Sequence, residues 1–266
     1  RLFSVRYNAH LNTGRVQTPT LAMIVKRDAD IANFIKQKYF TVDLDMGFKS
    51  VSARIDDENT ADRLVSSCNG KTATVTDVKK EIKSISAPKL FDLTSLQREA
   101  NKKFGYTAQQ TLDYMQSLYE KKLVTYPRTD SQYLSDDMEQ TAYALIPAIS
   151  EHFGFGSVAE PNLRAVINNR KVTGHHAIIP TESGVKCDIS ALAAGEKNIL
   201  KLVALRLLCA SASAYRYGAA KVTLSCENTD FTASGKTVLE SGWKALDGKI
   251  GEAEKSDEKS LPDLER

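Results

Sequence analysis

The sequence predicts an α+β protein of several units: a β-rich domain split in two, an all-helical domain inserted between its halves, and an N-terminal helical piece of a further domain. Three observations carry this. Apolar and polar residues alternate in two separate blocks, over 39–85 and again after Gly218. Between the blocks, from Pro88, helical spacing with capping signals takes over. The 266 residues, 42% hydrophobic and 26% charged, suffice for two or three compact units of ordinary globular composition. The expected units are 1–36 (partial helical), 37–87 (first β part), 88–215 (helical) and 216–266 (second β part with a polar tail).

The elements follow in order. In "QTPTLAMIVKRDADIANFI", Thr18 is the expected N-cap and Pro19 the first helical residue, with Leu21, Ile24, Val25, Ile31 and Ile35 at helical spacing. "YFTVDLDM" and "KSVSARI", split by Gly47, read as a hairpin. "ENTADRLVSSC" reads as a short helix and "TATVTDVKKEIKSI" as a strand. After Pro88, two capping boxes are expected, Thr94…Gln97 and Thr107…Gln110, with Gly105 as the stop between them. A third helix should run from Ser135 to about His152, and a long buried one should start near Ser190. "AAKVTLSCE", "DFTASG" and "KTVLESGWKAL" then read as strands, and the tail after Asp247 as mobile. An insertion tethered by two neighbouring linkers can swing as a unit.

Charge is nearly balanced, 36 Lys and Arg against 33 Asp and Glu. Its distribution is not: residues 1–27 hold five basic side chains and no acid, which hints at a polyanion partner. Cys68, Cys187, Cys209 and Cys226 form no C-x-x-C pair, against a zinc knuckle and in keeping with a reducing cytoplasm. "ILKLVALRLLCASA" is broken by Lys201 and Arg206, so no membrane span is expected. The chain opens on Arg1 with no signal-peptide character and reads as a piece of a longer protein.

Chemistry centres on "EKKLVTYPRTDSQYL". A free phenol has a pKa of about 10 and needs a cation or a base to act as a nucleophile. Arg128 lies two residues beyond Tyr126 with a fork that suits phosphate oxygens, and Pro127 stiffens the link. Composition alone favours the plain alternative, a helix-closing aromatic beside a solvated Arg. In "NTGRVQTPT", Gly14 permits a turn, Arg15 and Gln17 offer donors, and the following helix start suits an anion. His175 and His176 are adjacent and point apart, so a single His on a phosphate, or a structural His, is expected rather than a chelate. "ASGKT" lacks the first glycine of a P-loop, which excludes nucleotide binding there, and no acidic cluster offers a metal site.

Three segments, "GRVQTPTLAMIVKRD", "LFDLTSLQREANKKFGYTAQQTLDYMQSLYEKKLVTYPRTDS" and "HHAIIPT", resemble the type IA DNA topoisomerases, with most likeness to the bacterial topoisomerase III branch. The resemblance spans essentially the whole chain. It implies that Tyr126 attacks one DNA strand and stays on its 5′ phosphate, that Arg128 positions that phosphate, and that His175 lies near the cleavage point. It implies a groove for single-stranded DNA along Asn12, Thr13, Gly14, Arg15, Val16 and Gln17. It further implies a β-rich arch on which the helical domain swings, a monomeric cytoplasmic enzyme associated with the nucleoid, and no use of ATP. The family's Mg²⁺ belongs to an acidic Toprim domain that nothing here matches, so this chain is expected to bind no metal and to be inactive alone. Gly174 stands where Asp or Ala is frequent, and Asn12-Thr13 where Ser-Val is frequent. Two alternatives remain: a non-catalytic single-stranded nucleic-acid-binding module of the same ancestry, and a tyrosine recombinase. The second fits poorly, because Tyr126 lies mid-chain and "HHAIIPT" follows it.

Overall fold

In the computed structural model the described residues are 2–11, 14–250 and Leu261, and their elements are α1 (Leu2–Arg6), α2 (Gln17–Ala32), β1 (Asp43–Asp45), β2 (Lys49–Ser52), α3 (Glu58–Cys68), β3 (Thr74–Ile85), α4 (Leu93–Phe104), α5 (Ala108–Glu120), α6 (Glu139–Phe153), α7 (Ala194–Ser211), β4 (Tyr215–Cys226), β5 (Thr229–Glu240) and α8 (Lys244–Asp247). The strands form one antiparallel sheet in the order β1-β2-β5-β4-β3. Strands from before and after the helices therefore share one sheet. β3 and β4 pair along their whole lengths, with Ile85 opposite Tyr215 at the end where the chain leaves for the helices and returns. One face of the sheet packs Val42, Phe231 and Cys226 against Ala61 and Cys68 of α3.

The helices pack around α7, which is buried on most of its circumference, as its continuous apolar sequence requires. One cluster joins α6 and α7, with Ile149, Leu145, Ala204 and Leu208; the other joins α4, α5 and α7, with Leu96, Met115, Leu118 and Val203. α4 ends at Gly105 in left-handed conformation, the expected stop.

Expectations for three elements need correction. α2 starts at Gln17 with Val16 as its cap residue; the Thr18 hydroxyl accepts from the Gly14 N–H (3.1 Å) inside the first turn, so Pro19 is the third helical residue. The α4 box is Asp92…Ser95, because the Asp92 carboxylate takes the Ser95 N–H at 2.6 Å, two residues before Thr94. Gln97 instead donates to Ala108 O at 3.0 Å, and the Thr107…Gln110 box forms as expected. Finally, "KTVLESGWKAL" is only half strand: β5 runs unbroken through Gly235 to Glu240, and then a turn at Gly242 starts α8. α8 docks on the helical block, where Leu246 joins the α6–α7 cluster. The tail expected to be mobile falls largely, over 251–260 and 262–266, outside the described residues.

α2 buries none of its residues, and large apolar side chains such as Met23, Val25 and Ile35 stand exposed. No helix among the described residues is long and apolar enough to cross a membrane.

Candidate active site at Tyr126

The route from α5 to Tyr126 is set by local backbone chemistry. α5 closes with Lys121 as cap and Lys122 in left-handed conformation (φ 60°), while the Leu123 N–H donates to Leu118 O at 2.9 Å. This double-wrapped helix end turns the chain sharply without a glycine. Residues 123–125 then run extended beside 177–181. The Thr125 N–H donates to Ile179 O (3.0 Å), the Ile179 N–H to Thr125 Oγ1 (3.0 Å) and the Thr181 N–H to Leu123 O (3.0 Å). Beyond Tyr126, Pro127 is buried, and the buried Thr129 hydroxyl donates to His175 O at 2.7 Å. Two segments about fifty residues apart are thus zipped together on both sides of Tyr126.

Between those ties, the half-buried Tyr126 ring lies 4.2 Å from the His175 ring, centroid to centroid, and edge-on to Tyr119 at 5.4 Å. His175 is exposed, and His176 places Nδ1 2.8 Å from Ala177 O, so the two adjacent rings have different neighbours. Arg128 is exposed and pairs with no acid among the described residues, which leaves its fork available to an incoming anion. The arrangement sets a phenol and an unpaired guanidinium on one turn and an imidazole on the segment tied beside it.

A second ring of residues supports this turn. Glu196 of α7 is buried at 5% exposure. It takes both of its carboxylate oxygens to Lys121 Nζ at 2.7 Å, and also accepts from the Ser117 hydroxyl and the Ala193 N–H. Burial opposes ionisation of Glu196, but the Lys121 ammonium, the Ser117 hydroxyl and the Ala193 amide outweigh it and hold the carboxyl below its ordinary value. Further along, Tyr133 stands between Lys89 and Lys171, whose Nζ donates to its hydroxyl at 3.1 Å; the two ammonium groups, Lys89 first, push the phenol down from its ordinary value.

The predicted site residues divide. Tyr126 and His175 are in ring contact, and Arg128 follows two residues beyond Tyr126 with its side chain exposed. Gly14, Arg15, Val16 and Gln17 are exposed at the start of α2, and no hydrogen bond or ion pair between described residues joins them to the Tyr126 turn. Asn12 and Thr13 lie outside the described residues. Tyr119, Thr129, Glu196 and the Lys89–Tyr133–Lys171 group are absent from the sequence reading; only the "TYPRTD" context pointed at Thr129, and nothing local pointed at the others. No group of three or more His, Cys, Asp or Glu side chains among the described residues is arranged to hold a metal ion.

A family model described as DNA topoisomerase matches residues 1–266. The DNA topoisomerase 3 of Bacillus subtilis (strain 168) is 40% identical over 261 residues, covering 92% of this chain and 36% of that protein. That of Bacillus licheniformis is 39% identical over 281 residues, covering 99% and 38%. Full-length topoisomerase I from Thermotoga maritima superposes with a TM-score of 0.71 at 24% identity, over 97% of this chain and 43% of that one, a likeness of fold. The chain spans a little over a third of the length of these curated relatives.

Proposed function

Because this chain belongs to the type IA DNA topoisomerase family, we propose that it is the central part of an enzyme that opens one DNA strand through Tyr126, lets another strand pass, and reseals the break. The Tyr126 hydroxyl oxygen attacks a backbone phosphorus, and the bond from that phosphorus to the 3′ oxygen breaks. The phenol loses its proton, the departing oxygen gains one, and the products are a 5′-phosphotyrosine ester and a free 3′ hydroxyl. One phosphate ester replaces another, so the reverse attack needs no ATP. Arg128 holds the phosphate oxygens by its fork. His175, against the Tyr126 ring, donates to the same phosphate. Charge develops on the phosphoryl oxygens, and such transfer draws on several cations at once. Mg²⁺ would be held by parts of the enzyme outside this chain; no step above is routed through it. Single-stranded DNA is the substrate form, with Arg15 and Gln17 as further contacts.

The observation that supports this reading best is the 4.2 Å approach of Tyr126 to His175 beside an unpaired Arg128. Tyr133, with its lowered phenol, is the rival nucleophile within this chain. One experiment separates them. A full-length protein carrying this chain is incubated with labelled single-stranded DNA and quenched with denaturant. Tyr126→Phe should abolish the covalent adduct and leave DNA binding largely intact, and Tyr133→Phe should retain the adduct. The reverse pattern would assign the chemistry to Tyr133, and no adduct from the unsubstituted protein would leave the non-catalytic reading. The 266-residue chain alone should not relax supercoiled DNA, since Arg128 and His175 supply only part of the needed charge; relaxation by it would overturn that part.

A further inference from the structure

The face of the sheet opposite α3 is unlike its packed face. Residues directly paired across an antiparallel ladder share a face. The pairs Val222↔Ala233 and Leu224↔Phe231 therefore build the core side, while Lys79↔Lys221, Lys221↔Ser234, Ala219↔Lys236 and Lys83↔Tyr217 all lie on the open side. There they line a trough of about 420 Å³. Its floor is small, formed by Ala219, Ser234 and the backbone at Gly235, and its walls are Lys79, Lys221, Lys83, Lys236 and the Tyr217 ring.

Folding alone does not account for this arrangement. Four lysines face one glutamate, Glu81. Lys79 and Lys221 sit directly opposite each other, a like-charge pairing that destabilises a ladder. The acids nearby relieve little of it: Asp77 reaches Lys79 at 3.4 Å and Glu81 reaches Lys83 at 3.5 Å, both exposed pairs. Lys221 has no acid partner among the described residues. Lys236 lies 5.0 Å from the Tyr217 ring centroid, so cation and aromatic face share one wall. Lys79 and Lys83 are four residues apart on β3, roughly 13 Å of strand. That matches the axial rise of about four phosphates on one strand of a duplex.

We propose that this trough is a second DNA-binding surface, which takes the phosphate backbone of a DNA segment through Lys79, Lys221, Lys83 and Lys236, with Tyr217 as an apolar wall against sugar or base. The proposal rests on the topoisomerase reading only for the identity of the polyanion. The surface is on the sheet, and its residues are none of those assigned to the Tyr126 site.

The test uses the full-length protein and a labelled 30-nucleotide DNA, single-stranded or annealed to its complement, in fluorescence anisotropy over a range of salt. Lys79→Gln/Lys221→Gln removes two cations from exposed positions. It should weaken binding roughly three- to tenfold and lower the slope of log K on log salt by about 1.4 to 1.8. The control Lys38→Gln/Lys186→Gln, at ion-paired lysines elsewhere, should change neither. A loss on either probe supports the trough, and the larger loss shows which form of DNA lies there. An affinity and slope equal to the control's on both probes overturn it. The adduct assay on the same variant keeps the two ideas apart. An adduct that persists beside unchanged binding sinks the trough alone, whereas an unsubstituted protein that binds and forms no adduct sinks the catalytic reading and spares the trough.

Discussion

Glu196 is a buried acid whose partners all belong to the end of α5 or to its own helix start, and its purpose is position. Lys121 is the residue from which the chain turns toward Tyr126, so the ion pair fixes where that turn begins. The geometry uses both carboxylate oxygens, but Lys121 is about half exposed and can recover water when the pair is broken. Glu196→Gln should therefore cost about 1–2 kcal/mol rather than the full penalty of a stranded buried charge. The pH dependence follows from the lowered carboxyl. Because the folded value lies below the unfolded one, the stabilisation is fully present above the unfolded pKa, near 4.5, and is lost as pH falls through the folded value. Urea titrations from pH 7 to pH 3 should show the wild-type advantage over Glu196→Gln shrinking only below about 4.5; an advantage constant over that range would show that the clamp acts by packing. At this scale the sequence was informative where a motif was continuous. Tyr126, Arg128 and Thr129 sit in one run of residues. Glu196 lies 75 residues from Lys121, and only the packing of α7 on α5 brings the two together.

Elements were legible wherever side-chain period and a local cap agreed. α3 and α5 follow from such signals, whereas α6 and α7 follow from period alone and start at Glu139 and Ala194 with no side-chain cap, past the expected Ser135 and Ser190. Misplaced starts came from competition among neighbouring oxygens: Asp92 and Thr94 can both cap α4, and the charged acceptor wins. The end of α5 carried no glycine, since Lys122 adopts the left-handed conformation itself. The loop that receives it does need one. A Cβ on Gly184 would sit 2.0 Å from Leu123 O, the same oxygen that accepts from the Thr181 N–H. Both partners in that clash are backbone, so Gly184→Ala must push the 181–185 turn away from the strand that leads to Tyr126. A cost of about 1–3 kcal/mol in stability is expected. More diagnostic is a larger loss of covalent adduct than of DNA affinity, because reacting groups misplaced by about 1 Å lose rate steeply. Equal losses of adduct and affinity would mean that the turn supports folding only.

Among the described residues, the sheet and the helical block meet at the Ile85 end of β3. Ile85↔Tyr215 sets the two linkers of the helical block side by side, as a split β unit requires, and the topology is legible in the order strands, helices, strands. The return of the chain after β5 is not legible, because "GWKAL" is too short for its period to decide between strand and helix. There Gly242 (φ 46°) passes so close to the other crossing that a Cβ would lie 2.4 Å from Ala214 O. Trp243 then donates its N–H to Ser213 O at 3.0 Å and its indole N–H to Ile85 O at 3.2 Å. Leu246 continues into the α6–α7 core. A third crossing thus locks the base of the helical block, and any swing of that block on the sheet has to release Trp243 or bend the ladder beyond it. Cys209 reports on this lock. Its thiol reaches Trp243 O at 3.8 Å, and burial, helped by the Asp247 carboxylate, pushes it up to about 12, so it reacts only when the base opens. Trp243→Ala should speed alkylation of Cys209 at pH 8 by about tenfold or more, the equivalent of about 1.4 kcal/mol removed from local opening. Cys68 and Cys226, buried in the α3–sheet core, should keep their rates. Peptide-level mass spectrometry distinguishes the outcomes. If all three buried thiols accelerate together, Trp243 stabilises the fold as a whole; if Cys209 alone accelerates, the crossing is a local latch between the sheet and the block that carries Tyr126.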